Sequence, residues 1–129
     1  MQVFFWRVRC LSIPALAGTD QGANPVELIL ASLASCQEIV ISAYANALGI
    51  SFEKVTVDVK GELDLRGFFN LAEVRPGFDT IRLVTTIHTK ETDPEKLAQL
   101  SHLAKNNCPV LDIIKNPVPV NETIEFRHS

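Results

Sequence analysis

The sequence has few aromatic residues, few cysteines and no excess of basic residues. Of its 129 residues 7% are aromatic, three are cysteines, and the formal net charge is −3. Because no basic stripe is present to neutralise phosphates, we expect no binding to nucleic acid. The chain contains 47% hydrophobic and 21% charged residues, a composition typical of globular proteins and not of disordered ones. We therefore predict a single domain over residues 1–129.

Several motifs that carry chemistry are also missing. The sequence has no phosphate-binding glycine loop, no dinucleotide-binding fingerprint and no nucleophile elbow of the hydrolase type. Its three cysteines are isolated from one another, and its three histidines fit no zinc-ligand spacing. We therefore expect no metal site.

One long apolar run, residues 28–50, raises the question of a membrane span. Four polar residues punctuate this run or its start: Glu27, Gln37, Glu38 and Asn46. We interpret the run as a buried central helix and expect no membrane association. Arg7 and Arg9 interrupt the apolar stretch that a secretory signal would need. The sequence therefore predicts a cytoplasmic protein, in which a cysteine pair is more often catalytic or metal-binding than structural.

Three helices are predicted from their start signals. Asn24-Pro25 supplies an N-cap followed by proline at the first helical position, so the first helix should run from there to about Leu48. Gly49 suits its C-terminal end. Asp93-Pro94 opens a second helix and Cys108-Pro109 a short third one.

Strands are predicted where apolar and polar residues alternate, over residues 2–13, 53–66, 81–87 and 120–127, with a bulge at Gly61. Strands interspersed with helices predict an α+β fold, with an antiparallel sheet packed around the long apolar helix. That helix is apolar around most of its circumference and needs cover on several sides. Either a homodimer encloses it, which we favour, or it is the core helix of a monomer.

The cysteines differ in their surroundings. Cys36 shares a helix face with an apolar set, Ile29, Ser32, Leu33, Val40, Ala43 and Ala47. Apolar burial raises the pKa of a thiol, so these residues favour a packing role for Cys36. Cys108 stands at a helix N-cap, where free N–H groups would favour its thiolate, although a small packing residue fits equally well. Cys10 is interpreted as a packing residue in the first strand, and Glu27 by itself as a helical surface charge.

The run Gly18-Thr19-Asp20-Gln21-Gly22-Ala23-Asn24-Pro25-Val26-Glu27-Leu28, continuing to Leu33-Ala34-Ser35-Cys36, resembles the OsmC/Ohr family of osmotically inducible and organic hydroperoxide resistance proteins. Gly61-Glu62-Leu63 and Asn107-Cys108-Pro109-Val110 extend the resemblance over nearly the whole chain from Gly18. The features are closest to an OsmC-like branch. Family members carry an acid directly after the helix-start proline. In this sequence Val26 occupies that position, and the nearest acidic residue, Glu27, comes one position later. Members also supply an arginine from an N-terminal segment, for which Arg7 and Arg9 are the candidates.

The resemblance implies an intertwined homodimer and a thiol-dependent peroxidase that reduces organic hydroperoxides. Cys36 would be the peroxidatic thiolate that becomes a sulfenic acid, and Cys108 would condense with it to a disulfide. Glu27 would be the third catalytic residue. An external dithiol would reset the pair, and no cofactor would be needed. Two alternatives stay open: a non-catalytic dimer that binds a small apolar ligand, and a thiol redox sensor.

Overall fold

The longest element is α1, Pro25–Ala47, which the computed structural model describes together with the rest of residues 23–128. Its start carries a capping box, in which Asn24 Oδ1 accepts the Glu27 N–H at 2.9 Å and Glu27 Oε2 accepts the Asn24 N–H at 3.1 Å. Gly49 follows the helix with a φ of +71°, the left-handed conformation that glycine adopts at little cost. The predicted start and end of the first helix are confirmed.

Two antiparallel strands, β1 (Phe52–Leu63) and β2 (Phe78–Thr89), form the sheet of the described residues. Alternate β2 residues are half-buried and the others exposed, as the period of two requires: Ile81, Leu83, Thr85 and Ile87 point inward. The register is irregular at two places, between Phe52 and Lys54 and between Glu62 and Leu63, the second one residue beyond the predicted bulge at Gly61. Gly61 is opposite Ile81, and a Cβ there would collide with the ring of Phe78. The glycine is therefore required by the approach of an aromatic side chain.

The predicted end of the first of these strands, at residue 66, is wrong. The chain leaves the strand after Leu63 and forms one helical turn, α2, Leu65–Phe68. Asp64 Oδ1 accepts the Arg66 N–H at 3.0 Å and caps this turn, while Asp64 Oδ2 pairs with Arg66 Nη2 at 2.7 Å. A local capping interaction thus ends the alternating pattern before Leu65.

Two further helices follow β2. α3, Pro94–Asn106, begins at Asp93, whose Oδ1 accepts the Glu95 N–H at 3.0 Å. α4, Pro109–Lys115, begins at Cys108, as predicted, although the thiol itself caps no N–H group. Both helices have proline at the start, where the missing N–H is not needed.

The prediction of a final strand over residues 120–127 is wrong. Residues 117–128 form neither helix nor strand, and the side chains of Val120, Ile124 and Phe126 are 76%, 78% and 84% exposed. A strand requires a hydrogen-bonded neighbour, and within residues 23–128 the sheet pairs only β1 with β2. The alternation of apolar residues is nevertheless real. The C-terminal tail, residues 117–128, keeps the pattern of a strand but pairs with no strand among residues 23–128.

The buried core lies between α1, the sheet, α3 and α4. One cluster of buried residues combines Leu33 and Val40 of α1 with Cys108, and a second combines Ala45 with Ile50 and Leu100. By length and composition α1 could cross a membrane, a test that the core helix of a soluble protein also passes. Only 22% of its most apolar stretch of 18 residues is buried inside the chain. One side of α1 therefore carries the core, and residues 23–128 leave the other side exposed.

Candidate functional site

Cys36 and Cys108 are brought together by α1 and the start of α4. Cys36 packs against the buried cluster that contains Cys108, Leu33 and Val40. The two thiols are close enough for Cys108 to act on the ionisation of Cys36, and both are free thiols. The fold thus places side by side two residues that are distant in sequence. This juxtaposition is the condition that a two-cysteine redox centre requires.

The two thiols differ in their access to solvent. Cys108 is 1% exposed, whereas Cys36 is half-buried. Of the residues that share the face of Cys36, Leu33 and Val40 lie in the core, while Ile29 is 44% exposed. Cys36 therefore lies at the border of the core formed by the described residues.

Burial raises the pKa of the Cys36 thiol above its usual value. The nearby Cys108 thiol acts in the same direction, while the backbone N–H of Val110 in the first turn of α4 lowers the pKa and offsets part of the effect. Among residues 23–128, no lysine or arginine contributes to this shift. Arg7 and Arg9 lie outside the described residues. Within the described part of the chain, the protonated thiol is therefore favoured at neutral pH.

The reactivity of Cys36 is therefore expected to increase well into the alkaline range. Since the thiolate is the nucleophile, its alkylation by iodoacetamide should rise about tenfold per pH unit and continue rising above pH ~8.5, where an ordinary cysteine levels off. Labelling followed by peptide mapping measures this profile. In a Cys108→Ala variant the profile should move to lower pH, because one of the groups that raise the pKa is gone.

A plateau below pH 7 in the wild-type chain would contradict this expectation. It would mean that a cation from outside residues 23–128 stabilises the thiolate. Arg7→Gln and Arg9→Gln would then identify which arginine does so.

Glu27 lies at the start of α1, away from the thiols in the same chain. Its carboxylate is exposed and accepts the N–H of Asn24, and nine residues of helix separate it from Cys36, about 14 Å along the axis. Its observed contact is the capping box. The catalytic role of Glu27 remains a prediction.

Gln37 follows Cys36 directly, and its burial was not predicted, since the sequence showed it only as a polar interruption of an apolar run. Gln37 is 3% exposed, and its Nε2 donates to the carbonyl oxygen of Ala104 at 3.1 Å. The sequence does contain a signal that Gln37 is buried. At 100° per residue, Gln37 lies on the same side of α1 as Leu33 and Val40. A polar residue at the centre of an apolar face needs a partner.

No group of three or more histidine, cysteine or acidic side chains within residues 23–128 is arranged to hold a metal ion. The chemistry available to the described site is that of two adjacent thiols, one of them accessible. Such a pair can lose two electrons and form a disulfide.

Comparison with solved structures identifies similar folds. An OsmC-like protein from Mycoplasma pneumoniae aligns with a TM-score of 0.63 and 21% identity over 75% of this chain, which spans 65% of that protein's length. A protein from Legionella pneumophila, described as the organic hydroperoxide resistance protein OsmC, aligns with a TM-score of 0.56 and 25% identity over 81% of this chain and 71% of that one. A hypothetical protein from Aquifex aeolicus aligns with a TM-score of 0.58 and 22% identity, over 76% of this chain and 69% of that one.

A search of curated proteins finds no match. A family model, in contrast, matches residues 18–123, a range that includes α1, both strands and both cysteines described above. Its description is OsmC-like protein, in agreement with the structural neighbours and with the resemblance noted in the sequence. The chain therefore belongs to the OsmC-like protein family.

Proposed function

We propose that this protein is a thiol-dependent peroxidase that reduces organic hydroperoxides to alcohols. The observation that carries the proposal is the proximity of Cys36 to Cys108 across α1 and α4. The family supports it, and the Legionella pneumophila relative is described as an organic hydroperoxide resistance protein. The reaction requires only thiols and an external dithiol, so no cofactor is proposed. We place the protein in the cytoplasm, where thiols are kept reduced.

The proposed cycle transfers two electrons from sulfur to the peroxide. The Cys36 thiolate attacks one peroxide oxygen, the O–O bond breaks, and the alkoxide leaves as the alcohol after taking a proton. Cys36 is then a sulfenic acid, which condenses with the Cys108 thiol to form a disulfide and water. An external dithiol reduces this disulfide and is itself oxidised.

A groove with a partly apolar lining supports an organic substrate over hydrogen peroxide. The groove has a volume of about 440 Å³ and extends from the start of α1 to β2 and α4. Its lining includes the polar residues Arg75, Asp79 and Thr80. Its apolar part contains Val26, Ile29, Ile81 and Ile114, and the last two also pack, as Cys36 does, against the buried cluster that contains Cys108. The hydrocarbon part of a hydroperoxide would be removed from water there.

The proposed functional unit is a homodimer. One side of α1 presents an outer stripe of exposed residues, opposite its core-facing side: Leu28, Ser32, Ser35, Ile39 and Ser42. Ile39 is 67% exposed, and the small serines permit a second helix to approach closely. The C-terminal tail supplies a second exposed surface, since its alternating apolar residues pair with no strand among residues 23–128. Both features support an intertwined pair of chains, with Cys36 at the edge of the outer stripe.

Ile39→Glu is therefore expected to convert the dimer to a monomer. A carboxylate in the middle of an apolar interface would lose its hydration without gaining a partner. Analytical ultracentrifugation measures the change. Val84→Glu is the matched control, because Val84 is 59% exposed on β2 and lies outside the outer stripe. Equal dissociation of both variants, or of neither, would contradict the assignment of the outer stripe as the interface.

The proposed function is tested by intact mass after one equivalent of cumene hydroperoxide, with peptide mapping. We expect a loss of two hydrogens and a Cys36–Cys108 linkage within the same chain. Hydrogen peroxide at equal concentration is the control, and it should react more slowly because it has no hydrocarbon part to place against the apolar lining of the groove.

Two free thiols after this treatment would contradict the peroxidase proposal. They would favour the binding of a small apolar ligand, for which the chain offers a second cavity of about 360 Å³ between α1, β2 and α3. Ligand-dependent melting that is indifferent to cysteine substitution would then be expected. Slow oxidation without turnover under any dithiol would instead favour a redox sensor.

A further inference from the structure

Gln37 is the buried polar side chain of the described core, and it joins α1, which carries Cys36, to α3, the helix that ends just before Cys108. It belongs to α1, one residue after Cys36, and its Nε2 donates to the Ala104 carbonyl of α3 at 3.1 Å. A buried amide is costly unless it is hydrogen-bonded. Its presence among Leu33, Val40 and Ile41, all buried apolar residues, therefore calls for a reason other than packing.

The partner of Gln37 is a carbonyl that the end of α3 leaves free. The last helical bond of α3 runs from the Asn107 N–H to the Leu103 carbonyl at 2.9 Å. In a continued helix, the next bond would run from the Cys108 N–H to the Ala104 carbonyl. The chain instead leaves the helix at Cys108, which has a φ of −84° and a ψ of 113°. Gln37 supplies the donor that Cys108 does not.

The Gln37 amide thus takes the place of the Cys108 N–H as donor to Ala104, at the corner where α3 ends and α4 begins. Immediately after it, the Cys108 carbonyl accepts the Asp112 N–H at 2.9 Å and α4 begins. The Cys108 side chain is thereby turned into the cluster with Leu33 and Val40, beside Cys36. The hydrogen bond from Gln37 thus ties the residue next to one thiol to the corner that holds the other.

We infer that Gln37 is a positioning residue, which holds the Cys108 corner against α1 so that the Cys36 sulfenic acid condenses with Cys108 before a second peroxide reaches it. This inference rests on the proposed peroxidase function. Two fates compete for the sulfenic acid. Condensation with the Cys108 thiol releases water and gives the disulfide, whereas a second hydroperoxide transfers an oxygen atom, leaves as the alcohol and gives the sulfinic acid. Gln37 favours the first fate.

The test compares the wild type with Gln37→Met, which has a similar length but cannot donate a hydrogen bond. Each protein is mixed with one to ten equivalents of cumene hydroperoxide, and disulfide and sulfinic acid are quantified by mass spectrometry over time. We expect the first oxidation of Cys36 to change less than about twofold. Disulfide formation should slow about tenfold, the equivalent of about 1.4 kcal/mol, and sulfinic acid should accumulate at high peroxide.

Ile41→Val is the matched control. Ile41 is 1% exposed and lies one turn further along α1, so its truncation loosens the same core without removing the corner hydrogen bond. It should lower the melting temperature yet leave the ratio of disulfide to sulfinic acid unchanged. If Gln37→Met does not fold, Gln37→Asn keeps the amide but shortens its reach, and the same change of ratio is expected.

An unchanged ratio in a folded Gln37 variant would overturn the inference. The proposed function fails separately, because it predicts that the wild-type chain itself forms the disulfide. If the wild type forms none, both the function and the role of Gln37 are rejected. If the wild type forms it and the variant forms it equally fast, only the role of Gln37 is rejected.

Discussion

Replacement of Cys36 by serine is expected to abolish the turnover of organic hydroperoxides, with a decrease of about three orders of magnitude or more, as for other lost nucleophiles. A serine hydroxyl is not ionised near neutral pH and forms no sulfenic acid, so both the attack on the O–O bond and the subsequent disulfide are lost. The groove and the fold remain, because Cys36 is half-buried at the border of the core. Consumption of cumene hydroperoxide in the presence of a dithiol measures the effect.

Cys10→Ser provides the control for removing a thiol as such. Cys10 lies outside the described residues and was interpreted from the sequence as a packing residue, so this variant should retain turnover. Circular dichroism and thermal melting verify that both variants are folded. Turnover that survives in Cys36→Ser would end the peroxidase proposal, whatever the behaviour of Cys10→Ser.

Replacement of Cys108 is expected to stop the cycle after its first step. Cys36 can still reduce one equivalent of peroxide. Its thiolate fraction should not decrease in the variant, because the Cys108 thiol is one of the groups that raise the pKa of Cys36. The sulfenic acid then has no partner, and steady-state turnover with dithiol should fall more than about tenfold as sulfinic acid accumulates. Trapping with dimedone detects the sulfenic acid, and peroxide consumption per chain gives the stoichiometry.

Two variants separate the chemistry from the packing at this position. Cys108 is 1% exposed, so Cys108→Ser buries a hydroxyl at a cost of about 1–3 kcal/mol if it finds no partner, whereas Cys108→Ala leaves only a small void. Both should stall after one equivalent, although they differ in stability. Sustained turnover in a stable Cys108→Ala variant would show that the disulfide is not part of the cycle.

The parts of the fold that local chemistry decides were predictable from the sequence. Asn24-Pro25 and Asp93-Pro94 each combine a capping side chain with a proline that needs no N–H, and both helices begin there. The alternation of β2 survives in the structure because one side of that strand faces the core. These signals act over a few residues, so a linear sequence displays them.

The parts that depend on distant partners were not predictable in this way. Val120, Ile124 and Phe126 alternate like strand residues, yet an alternating pattern does not specify which strand will pair with it. At Leu65, the pattern was overruled by the Asp64–Arg66 cap, a competing local signal that the alternation concealed.

The candidate site shows the same division. Cysteine spacing gave no information on whether Cys36 and Cys108 meet. Family resemblance supplied the pairing, and the packing of α4 on α1 supplies the contact. The bond from Gln37 to Ala104 joins residues far apart in the chain. The polarity of Gln37 was visible in the sequence. Its partner is a backbone carbonyl, and the pattern of side chains does not predict which carbonyl a buried amide will bind.

The unequal burial of the two sulfurs sets the direction of the reductive half of the proposed cycle. In a Cys36–Cys108 disulfide, the Cys108 sulfur faces the core, where Cys108 is 1% exposed, and an incoming dithiol can reach only Cys36. The mixed disulfide with the reductant would therefore form on Cys36, and Cys108 would be the leaving group that takes up the proton. In the proposed cycle, the reductant would need no surface that reaches α4. It would need a thiolate that is small, or that protrudes from its own surface, so that it can approach Cys36 on α1.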